Sequence, residues 1–237
     1  MRRNEKPSGT KQAAFPADTF RFFRELGRNN RKPWMDVQRE RYRAVVVAPL
    51  RALLDRLTPA VIRLDPNLDA SGRTNRNFSR INRDIRFAAD KTPYRTHMYL
   101  KFPDRSAPSS DSCELYFGVS AEVVTAGFRA YHSGRQSRLS QVARPRAAQQ
   151  GRWLQRQRRR LGGDYESYWY ASERGEWTRH DGWPVDPAEW KKLKGWVVRR
   201  KLKPAAATRP GIAQEIERVF RDVYPLYRFV SSVKWNA

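Results

Sequence analysis

The densest group of residues that could do chemistry lies in one polar segment, residues 83–97. It opens with Arg-Asp-Ile-Arg-Phe at 83–87 and continues with Asp-Lys-Thr-Pro-Tyr-Arg at 90–95. An arginine can hold a carboxylate with two donors and still donate to a phosphate. The segment therefore predicts an anion-binding site formed by Arg83, Arg86, Lys91, Tyr94 and Arg95.

The same segment contains candidates for proton transfer, namely Asp84, Asp90 and His97. A histidine base needs a pKa near the working pH and an orienting partner, which Asp84 would supply. This hypothesis describes an enzyme that acts on a small anionic or phosphorylated substrate in a pocket formed by residues 83–97. The alternative, which composition alone favours, is a structural network of ion pairs that fixes a long loop on a sheet.

Two further segments are strongly basic. Residues 135–160 contain nine arginines and no acidic residue, and residues 191–203 contain seven basic and no acidic residues. Basic side chains with interleaved aromatic rings suit phosphate contacts and base stacking. The predicted nucleic-acid-binding residues are Arg152, Arg156, Arg159, Lys194, Trp196, Arg199 and Arg200. The alternative is a solvated charged face whose tryptophans are buried in the core.

The overall charge favours the nucleic-acid hypothesis. Lysine and arginine total 48 against 24 acidic residues, which gives a formal net charge of +24. A surface this positive attracts polyanions, so we expect nucleic acid or another phosphorylated polyanion as the partner. The single cysteine, Cys113, excludes an internal disulfide, and the three histidines lie far apart. Glycine-rich nucleotide loops are absent, so we expect neither a metal nor a cofactor.

Hydrophobic periodicity predicts the order of the elements. Period-three to period-four patterns predict helices near 18–26, 34–57, 147–161 and 212–223, with Pro49 bending or breaking the second. Alternating patterns predict strands near 98–102, 115–119, 124–130 and 165–170, and the very short connection between the second and third predicts a hairpin near Ser120. Residues 65–95 have no clean period, and residues 177–186 read as a loop.

This order indicates an α+β protein with a small antiparallel sheet and helices packed on one face. We expect a single domain over residues 15–237, preceded by a disordered basic tail at 1–14. No run of 18 apolar residues and no apolar signal segment occur in the sequence. We therefore expect a cytoplasmic protein without a membrane partner.

The polar segment also carries a family resemblance. Together with Phe-Phe at 22–23, Asn-Asn-Arg at 29–31 and Trp34, the residues from Arg83 to Thr96 resemble the hallmark of the bacterial family called domain of unknown function 2461. The resemblance implies one α+β domain over nearly the whole chain, and it implies no reaction. It adds Asn29, Asn30 and Arg31 to the candidate anion site. The alternative for the two asparagines is a turn that caps the following helix.

Overall fold

A computed structural model describes residues 14–105, 111–132, 139–173 and 176–231. The predicted basic tail lies outside these ranges, apart from Ala14. At the centre is a six-stranded antiparallel sheet with the strand order β1-β2-β3-β6-β4-β5. The strands are β1 (His97–Pro103), β2 (Asp111–Ser120), β3 (Val124–His132), β4 (Tyr165–Glu173), β5 (Glu176–Asp181) and β6 (Leu193–Leu202). The sheet and its helices confirm the α+β prediction.

The alternating pattern of the strands gives the sheet two different faces. Met98, Leu100 and Phe102 of β1 are buried in the core, while Tyr99 and Lys101 between them lie on the other face. Successive side chains of a strand point to opposite faces, so the register keeps the apolar positions of all central strands on one side. The hairpin predicted near Ser120 is present, closing β2 onto β3.

The helices are interrupted more often than the periodicity predicts. They are α1 (Ala17–Arg28), α2 (Lys32–Val37), α3 (Arg39–Tyr42), α4 (Ala48–Leu64), α5 (Arg144–Gln149), α6 (Gly151–Leu161), α7 (Pro187–Lys192), α8 (Pro204–Ala207) and α9 (Ile212–Ser231). The helix expected at 34–57, with a bend or break at Pro49, is divided into α2, α3, a π-helical turn and α4. The π-helical turn at Arg43–Val47 joins α3 to α4 just before Pro49, which lies in the first turn of α4.

The helices lie on the apolar face of the sheet. α9 packs across β2 and β3 and buries Val219, Val223 and Phe229. Trp153 of α6 stacks on Phe229 with ring centroids 5.2 Å apart, which fixes α6 on the same side. Within the described chain, no helix packs on the opposite face, which we call the open face.

The sequence predicted two segments without regular structure, and the prediction holds for the first and only in part for the second. Residues 65–96 contain only isolated bridges in the structure, as their missing periodicity predicts. The loop expected at 177–186 is partly wrong, because β5 occupies Glu176–Asp181 at the edge of the sheet. An edge strand tolerates polar residues that would exclude a central one, which is why its composition resembles a loop.

Candidate functional site

The two carboxylates of the polar segment are held by the arginines around them. Asp84 accepts from Arg86 Nε at 3.0 Å and from its terminal nitrogen at 2.8 Å. Asp90 accepts from the Thr92 amide at 2.9 Å and from the Arg83 guanidinium. These hydrogen bonds lower the pKa of Asp84, and they lower that of Asp90 to about 2. Lowering the pKa of a carboxylate weakens it as a general base at neutral pH, which disfavours the catalytic role predicted for these two residues.

The Asp84 carboxylate does not orient the His97 ring. The Asp84 oxygens bond to Arg86 instead, so the predicted Asp84–His97 pair is wrong. His97 begins β1 with its ring centroid 5.1 Å from that of Tyr99. Burial lowers the pKa of His97, and the positive charges of nearby arginines lower it further.

The asparagines of the motif join parts of the fold. Asn30 holds the backbone of Tyr94 with both its amide atoms, donating to the carbonyl at 2.8 Å and accepting from the amide at 3.0 Å. Asn29 donates to Glu25 O at 3.0 Å, so it caps the preceding helix and not the following one. Lys91 donates to the Ile85 carbonyl at 3.1 Å. These contacts fit the structural alternative for the motif.

The remaining residues of the segment point in different directions. Arg31 and Arg95 are exposed, Tyr94 is buried, and the Phe87 side chain is 95% exposed at the tip of the loop. Phe87 therefore does not anchor the core. Three cavities of the described chain are lined by residues outside 83–97, so none of these three is the substrate pocket predicted there.

Part of the predicted nucleic-acid surface forms one continuous face. Arg152, Arg156 and Arg159 project from α6 at spacings of four and three residues, which places them on one side of the helix. All three are exposed, and within the described chain no carboxylate lies at ion-pair distance from them. Buried Trp153 and Leu154 hold the opposite side of α6 on the core. We call Arg152, Arg156 and Arg159 the α6 arginine face.

A wide groove runs beside the α6 arginine face. It has a volume of about 740 Å³, and its lining includes Arg158, Arg159, Tyr165 and Trp183. The Tyr165 hydroxyl donates to Asp222 at 2.7 Å, which fixes the phenol ring at the rim. The groove therefore combines guanidinium donors with aromatic surface.

The other predicted nucleic-acid-binding residues, Lys194, Trp196, Arg199 and Arg200, do not share one surface, because they lie on a strand. Trp196 is fully buried and donates from Nε1 to Ser167 Oγ at 3.0 Å, which corrects its predicted stacking role. Arg199 and Arg200 point to opposite faces of β6. Arg200 pairs with Asp164 and Glu215 on the helical side. Lys194 is half-buried at the start of the strand.

Sequence reasoning missed the side chains of the open face. A shallow groove of about 420 Å³ lies there, lined by Tyr99, Tyr116, Arg129, Tyr131, Tyr168, Tyr170, Arg179, Val197 and Arg199. The sequence signal was present in the alternation of the strands. The positions between the core residues carry tyrosine and arginine. Finding it required β5 and β6, which the sequence did not reveal as strands.

Carboxylates position several cations of the open face. Buried Glu114 bonds to Arg129 and lies 3.8 Å from Lys101. Glu166 accepts from Arg199 Nε at 3.2 Å and from Lys201 Nζ at 2.7 Å. Each arginine thus keeps further N–H groups beyond its carboxylate contact.

Tyrosine hydroxyls add neutral hydrogen-bonding groups to the open face. Tyr116 is buried beneath the arginines, and burial raises its pKa to about 12. Its hydroxyl therefore remains protonated at neutral pH.

Comparison with known proteins gives a family and no activity. Among the described residues, no helix is long and apolar enough to cross a membrane, and no group of His, Cys, Asp or Glu is placed to hold a metal ion. A search of curated proteins found no match. The model of the family described as conserved hypothetical protein (DUF2461) matches residues 18–229. The chain therefore belongs to the DUF2461 family.

Proposed function

We propose that the protein binds nucleic acid or another phosphorylated polyanion through the α6 arginine face. The observation that carries the proposal is the exposure of Arg152, Arg156 and Arg159 on one helix face without a carboxylate at ion-pair distance in the described chain. Contact between such cations and a phosphate backbone releases condensed counterions, which drives binding.

Many other arginines of the protein are less available. Arg41 is held by Asp18 at 2.8 Å and by Glu25 at 2.6 Å, and Arg200 lies between two carboxylates. A paired arginine must share its donors or leave its partner before it can contact a phosphate. The arginines of the α6 arginine face do not have to leave a carboxylate first. We therefore expect a phosphate to contact them in preference to Arg41 or Arg200.

The dimensions of α6 suit a strand of nucleic acid. Arg152 and Arg159 are seven residues apart, which corresponds to about 10 Å at 1.5 Å per residue. Phosphates of one strand advance about 3.4 Å along a duplex axis, so the face spans about three phosphate intervals. Tyr165 and Trp183 line the neighbouring groove, and their rings would offer a stacking surface to an unpaired base.

The test is fluorescence anisotropy with single- and double-stranded DNA and RNA over a salt series. The variant is Arg152→Gln, Arg156→Gln and Arg159→Gln combined. The matched control is Arg21→Gln, Arg24→Gln and Arg28→Gln on α1, which removes the same charge from exposed positions at similar spacing. We expect the α6 variant to reduce the slope of log K against log salt by about 2–3, since each phosphate contact contributes about 0.7–0.9. The control should keep most of the slope.

Two results would contradict the proposal. The first is affinity for all four probes that does not change between low and moderate salt. The second is an equal loss of slope in the α6 variant and the α1 control, which would assign binding to net charge and not to this surface.

A further inference from the structure

The groove on the open face is separate from the α6 arginine face. α6 packs on the helical side of the sheet through Trp153, whereas the groove is formed by side chains of β1 to β6 that point the other way. An inference about the groove therefore does not rest on the proposed function. Its volume of about 420 Å³ falls in the range of small-molecule sites, about 300–1,000 Å³.

Glycines shape the floor of this groove. A Cβ at Gly118 would lie 2.6 Å from Cε1 of Tyr99, so this phenol ring already fills the space above the glycine. A Cβ at Gly195 would lie 3.3 Å from Cδ2 of Tyr170 and 3.6 Å from Cδ2 of Tyr131. The rings lean over the glycines along the sheet, whereas strand side chains normally stand perpendicular to it. Leaning rings expose part of their π faces to the groove.

Arginines stack on the same set of rings. The Cζ atom of Arg179 lies 4.0 Å from the ring centroid of Tyr168, and that of Arg199 lies 4.7 Å from it. A stacked guanidinium keeps its edge N–H groups available for an anion in its own plane. Arg179 is 3.5 Å from Asp181, and Arg199 uses Nε for Glu166, so both retain donors.

Arg129 in the groove has a donor without a partner among the described residues. Arg129 Nε is buried and has no hydrogen-bond acceptor in the described chain, although another nitrogen of the same guanidinium binds Glu114. A buried donor without an acceptor is costly, and native proteins rarely leave one unexplained. A ligand oxygen entering the groove would supply this acceptor.

The charges of the open face complement an anion. Among the described side chains of this face, cations outnumber carboxylates: they are Lys101, Arg129, Arg179, Arg199 and Lys201, against Glu114, Glu166 and Asp181. The tyrosines provide stacking surface and neutral hydroxyls. An anion without a ring would contact only the cations, and a neutral ring would contact only the tyrosines. The cations and tyrosines together therefore fit a molecule that has both an anionic group and a ring.

We infer that the open face binds a nucleotide unit, an aromatic base that carries a phosphate. The base stacks on the tyrosine rings, and the phosphate accepts from Arg179 and Arg199. Such a unit can come from a free mononucleotide or from an unstacked position in a single strand. Both share the same chemistry in the groove, and the experiment separates them.

The test is isothermal titration calorimetry with AMP and UMP, compared with adenosine, which lacks the anion, and ribose 5-phosphate, which lacks the ring. We expect both mononucleotides to bind at least tenfold more tightly than either fragment. Arg179→Gln should weaken mononucleotide binding by about 10- to 100-fold, the usual effect of losing a hydrogen bond to a charged group. Arg179 is exposed on an edge strand, so this variant should remain folded, which circular dichroism checks.

Controls separate this inference from the polyanion proposal. Arg156→Gln removes the same charge from α6 and should leave mononucleotide binding unchanged. Tyr131→Leu removes a groove ring that is 40% exposed, and it should weaken AMP binding while leaving ribose 5-phosphate binding unchanged. If Arg179→Gln also weakens a single-stranded oligonucleotide, the unit is read within a strand; if it weakens only mononucleotides, the ligand is the free nucleotide. The inference is overturned if neither mononucleotide binds at millimolar concentration, or if Arg179→Gln and Arg156→Gln act equally.

Discussion

A buried asparagine, Asn77, is one of the residues that hold the irregular segment at 65–96 to the sheet, and replacing its side chain should be costly. Asn77 is fully buried between this segment and β1. Its amide nitrogen donates to Asp69 O at 2.6 Å and to Lys101 O at 2.9 Å, and its amide oxygen accepts from Gly72 N at 2.9 Å. Asn77→Ala removes all three bonds and leaves backbone groups without partners.

The size of the effect follows from these contacts. A net contribution of about 1 kcal/mol for each of three hydrogen bonds predicts a loss of about 3 kcal/mol in the free energy of unfolding. For a protein of this length, about 3 kcal/mol corresponds to a decrease in Tm of about 6–12 °C. The midpoint in urea should fall while the slope stays constant, because the surface exposed on unfolding hardly changes.

The assay is urea unfolding followed by tryptophan fluorescence, with Asn82→Ala as the matched control. Asn82 lies in the same segment but is exposed, so its substitution should change the free energy of unfolding by less than about 0.5 kcal/mol. A loss below about 1 kcal/mol for Asn77→Ala, or equal losses for both variants, would refute the idea that this amide anchors the segment.

Two further predictions concern the pH dependence of the free energy of unfolding and the buried residue Trp196. Burial opposes ionisation of Asp69, but hydrogen bonds from Ser71 and Arg76 prevail and lower its pKa from 3.8 to about 2. This lowered pKa contributes about 2 kcal/mol of stability that is fully present above pH 4 and is lost as the pH falls towards 2. Urea unfolding at pH 5 and pH 2.5 should show that Asp69→Asn decreases the difference between the two values; an unchanged difference would contradict it. Trp196→Phe should cost about 1–3 kcal/mol through lost volume and the lost bond to Ser167 while leaving polyanion affinity within about twofold. A large loss of affinity in the folded variant would restore the stacking role.

Local patterns predicted the elements whose own residues carry a complete signal. Met98, Leu100 and Phe102 alternate with polar residues, so β1 and its core face follow from β1 alone. The buried stripe of α9 also follows from its own spacing. β5 could not be found in this way, because an edge strand is stabilised by pairing with β4 and not by an apolar pattern.

Some residues of the candidate site could also be predicted from local patterns, and others could not. The α6 arginine face is predictable because one helix sets the spacing of all three side chains. Arg199 and Arg200 are adjacent in sequence, yet the strand turns them to opposite faces of the sheet. The sequence also could not distinguish a catalytic Asp84 from one that pairs with Arg86, since both roles need the same residue types.

By itself, the sequence determined the charge, the α+β class, the central hairpin and the arginine face of α6. These properties depend on composition or on neighbours within one element. Only the tertiary structure decided that Trp196 is buried, that the polar segment is tied by ion pairs, and that the tyrosines and arginines of the open face share one groove. The physical reason is that residues distant in sequence meet only when the order and register of the strands are fixed, and an individual strand's pattern contains neither.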